Sequence, residues 1–274
     1  MKLAFGISPC PNDVWAFAGL LSGAVRVDGV ELDFELRDIQ DLNESFRSGR
    51  LSIAKTSFLA ALQAPRPLVI LRRGGALGFG VGPILVARAG APPAARARLL
   101  LPGANTTAAL LHRLYGAPCA STEQVVFSEI LPRLAAGDAD FGACIHEGRF
   151  VYQRHGLELA QDLGAAWERD TSAPLPLGGI VADATLDPAL VAACDDALLA
   201  SLEWSRAHPD EALALCRRHA QELEEDVLRR HIELYVNART RDLGEEGAAA
   251  LLALWSRARA VGMVDVDAPP PRVR

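Results

Sequence analysis

Twice in this chain a helical stretch runs into a glycine, a short apolar strand and a polar end. That repeated unit limits the fold more than any other feature. Ile39, Leu42 and Phe46 fall at helical spacing, Gly49 closes the helix, and Leu51 to Ala54 reads as a strand ending in Lys55-Thr56-Ser57. Further on, Ser128 caps a helix over Glu129 to Ala136, which Gly137 closes. Phe141 to Ile145 is then a short apolar run of the kind that fills a parallel sheet, and His146, Glu147, Gly148 and Arg149 follow it. Helices alternating with buried strands predict an α/β fold. The echo predicts two similar lobes, each presenting a strand end to a shared cleft, because ligands of open α/β sheets bind beyond the carboxyl ends of the strands.

The other segments can be placed around that frame. Lys2 to Ser8 reads as a first strand, stopped by Pro9 and Pro11, and Asn12 or Asp13 can cap the helix that runs to Leu21. Leu32, Phe34 and Leu36 alternate with charged residues, the pattern of a half-buried strand. Leu68 to Leu71 is another strand. A glycine-rich passage from Gly74 to Pro83 then leads into a strand at Ile84 to Val86, which suggests a crossing between lobes. Strands at Leu99 to Leu101, Val125 to Phe127 and Leu157 to Ala160, with helices from Thr106 and around Trp167, make the middle block. Pro174 to Gly179 looks like a second crossing, expected to lie beside the first. From Asp187-Pro188 onward the chain is mostly helical, and the Pro269-Pro270-Pro271 tail is expected to be extended or disordered. The expected architecture is a two-lobed binding-protein fold, with residues 1–84 and 177–274 in the large lobe and 85–176 in the small one.

Half of the 274 residues are hydrophobic, enough for a sizeable core, and the net charge of -6 gives no reason to expect nucleic acid or an anionic membrane as partner. Leu3 to Ile7 is too short for a signal-peptide core, and no later run approaches a membrane span. The five cysteines are odd in number, scattered and without metal-ligand spacing, as free thiols of a reducing compartment would be; the expected location is cytoplasmic. Of 28 basic residues, only Lys2 and Lys55 are lysine.

The chemical candidates follow from these placements. His146, at a strand end, can take or give a proton near neutral pH, or it can be a structural histidine satisfied by a carbonyl. Thr106 and Thr107 open a helix whose hydroxyls and free N–H groups can hold an anionic or carbonyl oxygen, or can simply cap it. Lys55, in a chain that otherwise uses arginine, marks a place for a compact ammonium. Ser8 to Asn12 reads best as a proline-stiffened turn. The sequence has no P-loop and no dinucleotide-binding glycine pattern between its first strand and helix. Cys144 and His146 form a dyad only if the strand persists and the side chains touch. His112, His155, His208, His219 and His231 show no ligand spacing and read as surface or structural residues.

Taken together, Ser8-Pro9-Cys10-Pro11-Asn12-Asp13, Gly74-Gly75-Ala76-Leu77-Gly78, Gly80-Val81-Gly82-Pro83, Thr106-Thr107-Ala108, Ile145-His146-Glu147 with Arg149-Phe150, and Leu175-Pro176-Leu177-Gly178 resemble the 1,4-dihydroxy-6-naphthoate synthases of the futalosine route to menaquinone. The resemblance spans Leu3 to about Gly262. It implies a fold like type II periplasmic binding proteins, used as an enzyme. That enzyme would convert cyclic dehypoxanthinyl futalosine, a small carboxylate, to 1,4-dihydroxy-6-naphthoate with loss of dihydroxyacetone and without a cofactor or metal. It implies that His146 is the proton acceptor and that Lys55, Thr56, Ser57, Thr106, Thr107 and Ala108 touch substrate. Val14-Trp15 stands where the family more often has Thr-Phe, and Thr56 where leucine is common. A plain solute-binding protein and the related chorismate dehydratase share the expected fold and are the alternatives.

Overall fold

The computed structural model describes residues 1–219 and 224–274. The chain begins with β1 (Lys2–Ile7), α1 (Pro11–Leu21), β2 (Glu31–Leu36), α2 (Ile39–Arg47), β3 (Ile53–Ser57), α3 (Phe58–Leu62), β4 (Leu68–Ile70) and β5 (Ala76–Gly78). It continues with β6 (Ile84–Arg88), β7 (Arg98–Leu101), α4 (Thr107–Tyr115), β8 (Ser121–Gln124), α5 (Ile130–Ala135), β9 (Phe141–Cys144), α6 (Gly148–Val151), β10 (Leu157–Asp162), α7 (Leu163–Thr171) and β11 (Leu175–Asp183). It closes with α8 (Pro188–Ala207), α9 (Pro209–His219), α10 (Glu225–Tyr235), α11 (Ala238–Arg241) and α12 (Gly244–Ala260).

The strands form two sheets, ordered β2-β1-β3-β11-β4 with β5 added to β11, and β10-β6-β9-β7-β8. Crossover helices make β1–β2 and β7–β8 parallel pairs, as βαβ units require. Phe5, Ile7, Phe17, Ile53 and Ile180 fill the core on one face of the first sheet, against α1 and α8. Val86, Leu100, Ile130 and Leu134 fill one face of the second. A third cluster draws on both halves of the chain: Leu42, Phe46 and Phe58 pack with Leu110, Leu111, Trp167, Leu251 and Leu254. Each such buried side chain contributes about 1.5–3 kcal/mol, so this shared core holds the sheets against each other.

The two glycine-rich passages run alongside one another. β5 pairs antiparallel with β11, Gly78 opposite Leu175 and Leu77 opposite Pro176. A Cβ on Gly82 would lie 2.2 Å from the Gly164 Cα, so this close approach admits only glycine. α12 packs on α3 and β11, and α8 and α9 pack on α1. α10 reaches both sheets: Leu228 and Ile232 pack with Val14, while Val227 joins the cluster of Ile84, Val86 and Leu131.

Three local expectations change, and a fourth, the extended or disordered tail, narrows to the extended form. The strand read at Val125 to Phe127 is instead Ser121–Gln124, wholly exposed at a sheet edge, where hydrophobic pattern gives no signal. α5 has Glu129, not Ser128, at its N-cap, with no side-chain cap. Asn12 and Asp13 do not cap α1; Pro11 takes the first helical position, which moves both into the first turn. The proline tail is tied down, with the Arg272 carbonyl accepting from Ile70 N at 3.0 Å and Arg274 N donating to the Ile70 carbonyl at 2.9 Å.

Candidate active site

A cleft lies where the carboxyl ends of β1, β3 and β9 meet the N-terminus of α4. Of the residues singled out from sequence, Lys55, Ser57, Thr106, Thr107, Ala108 and His146 line it. Thr56 does not. β3 extends through Ser57, so Lys55-Thr56-Ser57 lies within the strand, and its two-residue period sends Thr56 to the opposite face.

His146 follows β9 in a left-handed conformation, φ 52°, an uncommon one for a residue with a Cβ. Its Nε2 is shut off from solvent and has no hydrogen-bond partner, although the residue as a whole is half-buried. The Phe127 ring meets the imidazole edge to face at 5.0 Å. Burial pushes the His146 pKa down to about 4; Asp13 raises it and Lys55 lowers it by smaller amounts. The ordinary histidine value therefore does not apply, and burial favours the neutral imidazole near pH 7. Cys144 is no nucleophile at neutral pH, because burial pushes its thiol up to about 12.

Sequence reasoning passed over the residues opposite. Asp13 and Lys55 are both 5 % exposed and form an ion pair, Nζ to Oδ1 at 2.6 Å. The Lys55 ammonium also donates to the Gly74 carbonyl at 3.0 Å, so its charge is committed before any ligand arrives. The Ser8 hydroxyl donates to Asp13 Oδ2 at 2.6 Å and the Asn12 amide to Asp13 Oδ1 at 2.8 Å. The supposed stiff turn is thus the cradle of a buried carboxylate. His231, read as surface or structural, is fully buried on α10, its ring parallel to that of His146 with centroids 6.1 Å apart. Burial pushes its pKa well below the usual histidine range, and repulsion from His146, when that ring is protonated, acts in the same direction.

The threonines divide. The Thr106 hydroxyl is spent on local structure, donating to the Gly103 carbonyl at 2.7 Å and accepting from Ala109 N at 3.3 Å. The Thr107 hydroxyl donates to the Leu177 carbonyl at 2.9 Å. The backbone N–H groups of Thr107 and Ala108, in the first turn of α4, have no intrahelical acceptor and belong to residues lining the cleft. Ser57 Oγ accepts from Asn43 at 3.3 Å, an arrangement that leaves the hydroxyl hydrogen available to a ligand. Among the described residues, no group of three His, Cys, Asp or Glu side chains is placed to hold a metal ion, and no helix is long and apolar enough to cross a membrane.

One consequence concerns pH. His146 and His231 enter the fold neutral and gain protons on unfolding, so their folded pKa values lie below the unfolded one of about 6.5. Their contribution to stability is complete above that pH and is lost as pH falls below it, for His146 through about 4. Each contributes a slope of up to about 1.4 kcal/mol per pH unit within the window. The urea midpoint should fall between about pH 7 and 5, and His146→Asn should flatten that fall. An unaltered slope in the variant would show that His146 is not held neutral by the fold.

Two helix-covered sheets joined by paired crossings, with a cleft at their strand ends, define a binding-protein-like fold. Solved structures agree on the fold. The chain superposes on a protein of Archaeoglobus fulgidus with a TM-score of 0.90 at 27% identity, covering 96% of this chain and 98% of that one. It superposes on the periplasmic aliphatic sulphonate binding protein of Escherichia coli with a TM-score of 0.66 at 13% identity, covering 100% and 94%. Residues 3–260 match the family described as menaquinone biosynthesis. The 1,4-dihydroxy-6-naphthoate synthase of Thermus thermophilus is 44% identical over 98% of this chain and 97% of its own length. That of Streptomyces coelicolor is 38% identical over 97% and 96%. The chain belongs to the menaquinone biosynthesis family.

Proposed function

We propose that the chain is a 1,4-dihydroxy-6-naphthoate synthase, a lyase that converts cyclic dehypoxanthinyl futalosine to the naphthoate and dihydroxyacetone, with His146 as general base. The observation that carries this reading is His146 itself, a residue of the cleft lining whose imidazole is kept neutral by burial and whose Nε2 has no partner, with the Asp13 carboxylate in the same lining. Fragmenting a ribose-derived skeleton to an aromatic product needs a base and little else, because aromatisation supplies the driving force. A positioned base contributes about 10²–10⁴-fold. Asp13 stabilises the imidazolium that forms, and Lys55 holds Asp13 in place. Residues 1–84 and 177–274 act as one lobe and 85–176 as the other, and closing them excludes water and fixes geometry.

The substrate carboxylate goes to the N-terminus of α4. Among the described residues lining the cleft, the one fixed cation is Lys55, and Asp13 already pairs with it. The free N–H groups of Thr107 and Ala108, at the positive end of the helix dipole, are the remaining anion site. 1,4-Dihydroxy-6-naphthoate should therefore bind about tenfold more tightly than its carboxamide in isothermal titration. Equal affinity would move the carboxylate elsewhere. All five cysteines are unpaired, which supports a reducing, cytoplasmic setting.

The deciding experiment is incubation of the purified protein with cyclic dehypoxanthinyl futalosine, followed by detection of naphthoate and dihydroxyacetone in equal amounts. Binding without turnover would point to a solute-binding protein. Turnover of chorismate instead would point to the dehydratase.

A further inference from the structure

His231 is fully buried, and its contacts fix more than its own position. Its Nε2 lies 2.9 Å from Asn12 Oδ1. The Asn12 amide must turn its NH₂ toward the Asp13 carboxylate, because an amide oxygen facing a carboxylate oxygen at 2.8 Å would oppose two acceptors. Asn12 Oδ1 is thereby left facing His231, and an oxygen there accepts only. His231 must therefore carry its proton on Nε2, with Nδ1 bare on the side of Glu147, whose carboxylate is 3.9 Å away.

The helix that carries it is built to hold it still. On α10 the buried residues Val227, Leu228, His231, Ile232 and Tyr235 share one face. That face packs on the first sheet's helices through Leu228 and Ile232 and on the second sheet's core through Val227. The His231 ring rests 4.6 Å from Tyr235 and 6.4 Å from Phe150, and runs parallel to His146 at 6.1 Å. A histidine so anchored touches one member of the reacting constellation through a hydrogen bond and borders another through its ring.

We propose that His231 is a positioning residue for the reaction: through Asn12 it fixes the Asp13 carboxylate that lines the cleft with His146, and its ring sets the plane of the His146 imidazole. This rests on the reading of the cleft given above. Asp13 Oδ1 accepts from both Lys55 and Asn12, so without Asn12 that oxygen follows the flexible ammonium, with only the Ser8 hydroxyl holding Oδ2. A misplacement of about 1 Å in such a group costs up to about 10²-fold in rate.

The test uses His231→Phe, His231→Gln and Asn12→Ala in the full-length protein. His231→Phe keeps the ring packing and removes the donor; kcat should fall by about 10- to 100-fold while KM moves by less than about threefold. His231→Gln restores an N–H at the Nε2 position and should recover most of the lost rate, which a purely space-filling role would not predict. Asn12→Ala should match His231→Phe, and the double variant should be no slower than the slower single, because both break one chain of contacts. Independently of turnover, ¹⁵N-histidine NMR should show His231 protonated at Nε2 and bare at Nδ1 across neutral pH. Wild-type kcat in His231→Phe, failure of the glutamine variant to recover, or a protonated Nδ1 would each overturn the proposal. Should His231→Phe not fold, Asn12→Ala decides alone, a wild-type kcat there overturning it. A wild-type protein that makes no naphthoate overturns the functional reading and the positioning role with it; a turning-over wild type with indifferent variants overturns the positioning role only.

Discussion

His146→Asn should fold, retain substrate affinity within about threefold, and lose at least about 10²-fold in kcat. The choice of asparagine matters because of the backbone. His146 occupies the left-handed region at φ 52°, where asparagine is among the better-tolerated residues and alanine is strained. His146→Ala would therefore mix a conformational penalty of about 1–2 kcal/mol with the loss of the base. The amide can make a hydrogen bond but cannot accept a proton at neutral pH. A 10²-fold loss corresponds to about 2.7 kcal/mol of barrier, well inside what a general base supplies. The wild-type pH profile adds a second check. With its pKa lowered to about 4 by burial, His146 is already neutral near pH 6, so kcat/KM should be flat there and fall only as pH approaches 4. A limb centred near 6.5 would mean that the imidazole is better solvated than the fold shows. An asparagine variant turning over at the wild-type rate would remove His146 from the chemistry.

How much of this was legible in the sequence depends on whether the signal was local. His146 announced itself, since a short apolar run after a glycine and then a titratable side chain is a strand end, and β9 with its cleft is there. The two glycine-rich crossings were equally local. Asp13 was hidden for two reasons. Pro11 shifted the helix start, so that a residue with the look of a cap faces the cleft instead, and its partner Lys55 is 42 residues away. His231 and Asn12 are 219 residues apart, and nothing short-range joins them. One usable sign was present: His231 falls in the apolar stripe of Val227, Leu228, Ile232 and Tyr235, a costly place for an imidazole without a partner. The edge strand Ser121–Gln124 gave no such sign, because its residues are polar and exposed on both faces.

Lys55→Met should destabilise the protein by about 3–5 kcal/mol, the largest single effect on stability expected in the cleft. The resemblance implied that Lys55 touches substrate; the ion pair with Asp13 changes what its loss should do. Both side chains are almost wholly buried, and removing the ammonium leaves the carboxylate with only the hydroxyl of Ser8 and the amide of Asn12. Neutral donors do not replace a counter-charge in a low-dielectric site. Asp13→Asn added to Lys55→Met removes the stranded charge, and its amide can still accept from Asn12 and donate to Ser8. The double variant should thus recover most of the lost stability in urea denaturation, since a buried pair exchanged for neutral groups of similar volume is close to neutral. It should not recover activity. The negative charge that stabilises the His146 imidazolium is absent from it, so kcat should stay at or below that of the single variant while KM, set at the α4 N-terminus, changes little. Stability and rate would then separate, assigning the pair's charge balance to folding and its anionic half to catalysis. A Lys55→Met protein as stable as wild type, or a double variant that regains rate along with stability, would contradict that assignment.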